Sequence, residues 1–505
     1  MESALIAQTT AGRVRGFLDH GITAFKGIPY GDDTSKRRFQ PPVPPVPWDG
    51  VRDARAFGSI APQANRVVTV YLAEGNRESA ASEDCLNLNV WTPAVRDGGR
   101  RPVMVWFHGG GYSGQSANSN LFDGVRLCQR GNVVVVTVNH RLNVLGYLYL
   151  AGLGGPEFAD SGNVGMLDLV LALHWVHENI AEFGGDPGCV TIFGQSGGGA
   201  KCSTLMAMPA AHGLFHRVIT MSGQQVTATE PEHATATAQA VLAALALPLE
   251  RLTEIKTIPV ERLLTAMRGH YFGPVKDGRA LPRDPFAPDA SPLSADIPMI
   301  MGNTHDETTY LIGASDPTTF SLTWETLPEK LREHLAKFMG ERSPAQIVRD
   351  YRSLYPDYSP SDVFFAATTA YRSWRSMLIQ AERRAEQHGA PTYVYEFDWR
   401  TPVDGGKWRA PHTIDVAPAF DNITYGAPRT GTSPEAFKIA ALVSESFLAF
   451  ARSGDPNTPQ LPSWTPFNVE QRPTMIFDLP PRLENDPRGA ERRMVEPIPY
   501  TQPGT

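Results

Sequence analysis

Cysteine is scarce in this chain. Four residues in 505, Cys85, Cys128, Cys189 and Cys202, stand at spacings that match no metal site. So few thiols in so long a chain exclude a disulfide scaffold and read as reduced cysteines of a cytoplasmic protein. Long hydrophobic runs are missing as well. The longest, such as Val133–Val136, are strand-sized, so no membrane span is expected. Met1–Gln8 has neither a basic start nor a full apolar stretch, and we expect no signal peptide. Excess positive charge is absent: the formal net charge is −7, which disfavours nucleic acid or an anionic membrane surface as a main partner. There is no internal repeat, low-complexity tract or long linker. His174 and His177 stand three apart on a helical pattern, but no acidic or cysteine cluster joins them, so neither a metal nor a cofactor is expected.

What is present is alternation. Pro102–Phe107 and Val133–Asn139 read as buried strands, and Val190–Phe193, Val218–Met221, Pro298–Met301 and Tyr393–Phe397 as further ones. Helical patterns lie between them, the clearest from Met166 to Phe183, ended by Gly184–Pro187. Strands alternating with helices predict an α/β fold with a mostly parallel central sheet, its active site at the C-terminal strand ends. We read residues 1–505 as one such unit. Two mainly helical stretches, at about 230–269 and 317–384, interrupt the alternation and are expected to wall a substrate gorge, or else to be only structural.

The segment Val190–Ala200 (VTIFGQSGGGA) has the form of a nucleophile elbow: a strand, Gly194, a single serine, then glycines opening a helix. Alone it is an ordinary Gly-rich turn. A serine hydroxyl needs a base, the base needs an orienting acid, and in this architecture they follow in the order Ser, Asp or Glu, His. Gly302–Thr308 (GNTHDET) follows a strand and offers Glu307, with Asp306 as its rival. Three histidines lie beyond Glu307. His334 sits inside a helical pattern and His388 at a helix end. His412 occupies a loop after the strand ending at Phe397, so Ser196, Glu307 and His412 are the expected triad. Phe107–Tyr112 (FHGGGY) follows a strand and supplies the N–H groups of Gly110 and Gly111 for an oxyanion, with Gly197 as the third. Gly109–Gly114 also spells a Gly-x-Gly-x-x-Gly pattern, but no strand ending in an acid follows at dinucleotide-binding distance.

The motifs together resemble the type-B carboxylesterase family. They include Gly12–Gly16 (GRVRG), Phe25–Tyr30 (FKGIPY), Glu83–Trp91 (EDCLNLNVW), Asn139–Arg141 (NHR), Gly162–Asp168 (GNVGMLD), Phe183–Pro187 (FGGDP) and Ser453–Asn457 (SGDPN), so the likeness spans nearly the whole chain. The resemblance implies an α/β-hydrolase fold and places the triad and the oxyanion glycines on the residues named above. It also implies two bracing ion pairs, Arg38 with Glu83 and Arg141 with Asp168, and an ordering role for Ser222. Departures are Gln195 where the family usually has Glu, Gly197 for Ala, and Thr308 for Gly. Ala61 stands near where secreted relatives carry a cysteine partner for the position of Cys85, so that disulfide is not expected.

The expected activity is hydrolysis of small to medium carboxylic esters, aryl or bulky ones among them, through an acyl-enzyme. The expected protein is a monomer or small homo-oligomer acting on a small molecule. Amide or carbamate cleavage by the same chemistry, and a catalytically silent binding module, are the alternatives. Tyr112, Gln195, Ser222 and Phe272 are candidate substrate contacts. Tyr147, Tyr271 and Trp324 are further aromatic candidates, each equally an ordinary core residue, and Lys276 is either a gorge cation or a solvated surface lysine.

Overall fold

The structure, a computed structural model, describes residues 5–64, 79–223 and 225–503. In chain order the first strands are β1 (Ile6–Gln8), β2 (Arg13–Arg15), β3 (Phe17–Asp19), β4 (Ile22–Pro29), β5 (Val51–Asp53), β6 (Asn87–Thr92) and β7 (Arg101–Phe107). Then come β8 (Val134–Val138), β9 (Gly185–Gln195), β10 (Arg217–Met221), β11 (Met299–Thr304), β12 (Thr392–Phe397), β13 (Pro473–Phe477) and β14 (Arg482–Asn485). β1, β2 and β5 make a small separate sheet. The remaining strands form one sheet in the order β14-β13-β12-β11-β10-β9-β7-β8-β6-β4-β3.

From β13 through β8 every neighbouring pair is parallel, while β14, β6, β4 and β3 join antiparallel. The sheet is therefore mixed, with a parallel centre. Helices cover both faces, which is why the central strands carry valine and isoleucine almost without interruption. Alternate residues serve opposite layers: Val103, Val105, Val134 and Val136 pack into one core, and Met104, Trp106, Val133 and Val135 into the other. The helix Gly197–Leu205 is buried along its whole length. The helix Pro434–Ser453 is capped by the Ser433 hydroxyl and ends at Gly454 in the left-handed region.

Boundaries differ from the sequence reading in two informative places. β9 begins at Gly185, so Gly184–Pro187 starts a strand as well as ending a helix. The preceding helix runs Val164–Asn179 and its last turn, Ile180–Phe183, tightens to a 3₁₀ helix. The Arg38–Glu83 pair closes at 2.5 Å and Arg141–Asp168 at 2.6 Å, the latter with both side chains almost wholly buried. All four cysteines are free thiols.

The two helical stretches part company. Within 317–384, the helix Pro360–Thr368, the π-helical turn Thr369–Trp374 and the helix Arg375–Glu386 run on as one rod past the C-terminal strand ends. Within 230–269, Ala234 and Thr237 of the helix Pro231–Ala244 line a small separate void. No helix among the described residues is long and apolar enough to cross a membrane.

Candidate active site

Parallel pairing aligns Phe107 with Gly194, Gln195 with Met221, and Met221 with Gly302, so β7, β9, β10 and β11 end side by side. Ser196 follows β9 at φ 57° and ψ −128°, a conformation costing a non-glycine residue about 1–3 kcal/mol. The surroundings fix it. Its N–H donates to the Met221 carbonyl at 2.8 Å, and its own carbonyl accepts from Ala200 at 3.0 Å. Two glycines allow the close approach. A Cβ at Gly198 would lie 1.9 Å from the Phe107 carbonyl oxygen, and one at Gly223 would lie 1.8 Å from the Ser196 carbonyl oxygen.

Glu307 opens the helix Glu307–Leu311 just past β11 and is fully buried. One carboxylate oxygen takes the Thr304 N–H at 2.9 Å and the Asn303 amide at 3.2 Å. The other accepts from Nδ1 of His412. Burial opposes the charge of Glu307, but His412, the nearby Ser222 hydroxyl and the Thr304 N–H outweigh it and hold the carboxyl below its ordinary range. The remaining imidazole nitrogen, Nε2, lies 3.1 Å from the Gln195 side-chain amide.

The rival acid, Asp306, is committed elsewhere. It pairs with His305 at 3.2 Å and Arg409 at 3.8 Å, and its backbone N–H reaches the Ala410 carbonyl at 2.9 Å. Burial alone would push the His305 pKa down, but Asp306 and Glu396 lift it to about 9. This cluster ties the loop bearing His412 to the end of β11, a role no sequence motif signals. His388 is exposed and His334 packs edge-on to Phe364, far from this constellation in contacts.

Gly110 and Gly111 have positive φ, 81° and 59°. Among the described residues, the backbone N–H groups of Gly110, Gly111 and Gly197 donate to no protein acceptor. The loop is braced from below by Lys201, fully buried in the helix behind Ser196. Its Nζ donates at 3.0 Å to the carbonyls of both His108 and Gly111. Burial pushes the Lys201 pKa down to about 7. His108 and His140 stack nearby at 4.7 Å between ring centres, and burial keeps both below the ordinary histidine range. Lys201 reads as a surface residue in sequence, and only the all-buried helix reveals it.

Two cavities of about 250 Å³ each meet at Ser196, Gly111, Leu311 and His412. One is walled by Trp106, Leu121, Phe122, Tyr310 and Val416, with Gln195 at its base. The other carries more polar side chains, with Tyr112, Ser222, Gln225, Tyr271, Arg372 and Ser376 among its lining. Phe272 is not in either. It lies with Tyr147 in the small void behind Tyr271, because Tyr271 turns toward the cavity and the next side chain turns away. Trp324 is stacked under Arg352 instead. Lys276 is held by Glu230 at 2.5 Å and Asp284 at 3.1 Å and lines neither cavity. The cluster Asp316, Glu333 and His334 is neutralised by Lys330, which pairs with Asp316 and Glu333.

Comparison with known proteins decides the family. A model of the carboxylesterase family matches residues 3–495. The chain belongs to the carboxylesterase family. It is 35% identical to the para-nitrobenzyl esterase of Bacillus subtilis, over 97% of this chain and 98% of that one. It is 32% identical to a phenmedipham hydrolase of Pseudarthrobacter oxydans, over 93% and 94% of the two chains. Among solved structures it is similar to the carboxylesterase Est55 of Geobacillus stearothermophilus, with TM-score 0.86 and 36% identity over 97% of this chain and 100% of that one. This carboxylesterase therefore has the α/β-hydrolase fold and is a carboxylic-ester hydrolase.

Proposed function

We propose that this carboxylesterase works through a Ser196–His412–Glu307 triad and an acyl-enzyme. The observation that carries it is the contact of His412 Nδ1 with a buried, ionised Glu307, made where both cavities open onto Ser196. That contact fixes the proton on Nδ1 and leaves Nε2 as the base. Ser196 Oγ attacks the ester carbonyl as its proton passes to His412. The oxyanion is met by the N–H groups of Gly110, Gly111 and Gly197, which have no other partner among the described residues. His412 then protonates the leaving alcohol, and water releases the acid by the reverse sequence.

The two cavities suit the two limbs of an ester. A cavity of about 150 Å³ holds benzene, so each lobe has room for an aryl-sized group. We infer small to medium esters, aryl ones included. The test is a panel of p-nitrophenyl esters of rising acyl length, run beside Ser196→Ala. Turnover that falls at least about 10⁴-fold in the variant supports the assignment; wild-type rates in Ser196→Ala sink it.

A further inference from the structure

Arg372 is out of keeping with its surroundings. It sits in the π-helical turn Thr369–Trp374 and lines the second cavity beside Ser196, as do Ser373 and Ser376. Among the described residues its guanidinium has no hydrogen bond and no ion pair. Its neighbours on the same rod are engaged: Arg375 donates to the Pro499 carbonyl at 3.2 Å, and Arg384 to those of Ser294 at 2.6 Å and Ile297 at 2.7 Å. Burial pushes the Arg372 pKa down, with the Glu307 charge opposing. Glu307 is nevertheless not paired with it: among the described residues its one ion pair is with His412, and its oxygens accept from His412, Thr304 and Asn303. Among the described residues no other carboxylate lines the cavity.

A partly desolvated cation without a counter-ion is costly to hold, and a guanidinium presents a planar fork that fits a carboxylate through two parallel bonds. The π-turn adds to the argument, because such turns are frequent at functional sites. We propose that Arg372 forms a carboxylate subsite, so that this esterase prefers esters bearing a second, ionised carboxylate on one limb, such as half-esters of dicarboxylic acids. The proposal rests on Ser196 being the nucleophile, since it places the subsite in the cavity that opens onto that hydroxyl. The carboxylate can ride on the acyl limb or on the alcohol limb; the chemistry that Arg372 recognises is the same.

The experiment compares kcat/KM for matched acidic and neutral esters in the wild type, Arg372→Gln and Arg372→Lys. For the acyl limb the pair is p-nitrophenyl hydrogen adipate and p-nitrophenyl hexanoate. For the alcohol limb it is 4-(carboxymethyl)phenyl acetate and 4-ethylphenyl acetate. In one of the two pairs the acid-to-neutral ratio should fall about 10- to 100-fold in Arg372→Gln and be partly kept in Arg372→Lys. Raising the salt should shrink the wild-type ratio. An equal loss on acidic and neutral esters would assign Arg372 a structural role and overturn the subsite, as would ratios within about threefold of wild type in both pairs. Inhibition of the wild type needs no variant: adipate should compete with p-nitrophenyl hexanoate and adipamide should not, and equal inhibition by the two counts against the subsite. Neutral-ester turnover that survives in Ser196→Ala would instead overturn the nucleophile assignment, a separate failure.

Discussion

The side-chain nitrogen of Gln195 lies 3.1 Å from Nε2 and 3.5 Å from Nδ1 of His412. The two ring nitrogens flank one carbon, so near-equal distances set the amide against the ring rather than on the in-plane axis of the Nε2 lone pair. The amide also brings no charge to the ring, where the family usually has a carboxylate.

Gln195→Glu should therefore act through charge. We expect kcat/KM for neutral esters to drop about tenfold, as one unit of interaction with a nearby charge requires, while the neutral Gln195→Met stays within about threefold. Equal losses in the two variants would show that Gln195 acts through shape alone.

The two adjacent acids should separate in kind. Glu307→Gln removes the acceptor that holds the Nδ1 proton, and kcat should fall about 10³- to 10⁴-fold in a protein that still melts near the wild-type temperature. Asp306→Asn breaks the cluster of His305 and Arg409, and should appear first as a lower melting temperature. Stopped-ester kinetics beside thermal melts decide it; the reverse pattern would make Asp306 the acid.

Lys201 predicts a pH effect. Its pKa falls from 10.5 to about 7 on folding. Between those values the unfolded chain holds a proton that the folded chain has released, so this group makes stability rise with pH over that window. The slope is at most about 1.4 kcal/mol per unit, and below pH 7 the contribution levels off. Lys201→Met should abolish that slope in urea melts. It should also lower kcat about 10- to 100-fold with little change in KM, because the clamped carbonyls of His108 and Gly111 hold the oxyanion loop in shape. An unchanged kcat would remove Lys201 from any positioning role.

The buried Arg141–Asp168 pair should behave as a unit. Arg141→Met leaves Asp168 charged and unpaired, a loss of about 3–5 kcal/mol. Asp168→Asn added to it keeps an oxygen for the Arg141 N–H, now 3.0 Å from Asp168, and should restore at least half of that loss. Denaturant midpoints of Arg141→Met, Asp168→Asn and the double variant measure the coupling, and simple additivity would count against it.

Much of this was legible in the chain. Valine runs identify central strands because a sheet covered on both faces needs apolar residues at every position. The elbow and the HGGG loop are legible because only glycine tolerates backbones stacked so closely. Side chains whose meaning depends on distant partners were not legible. Lys201 and Arg372 look like surface cations until the helix around one and the cavity beside the other are seen. Asp306 and Glu307 are indistinguishable as neighbours in sequence; the turn after β11 sends one toward Arg409 and the other toward His412.

Gly198 and Gly223 leave no side-chain volume between three layers of main chain around Ser196. A library that randomises this elbow would return mostly dead clones, because no graded substitution exists there. Heritable change in such an enzyme is channelled into the walls of its two chambers. The reaction is inherited whole, while the menu of esters drifts one lining residue at a time.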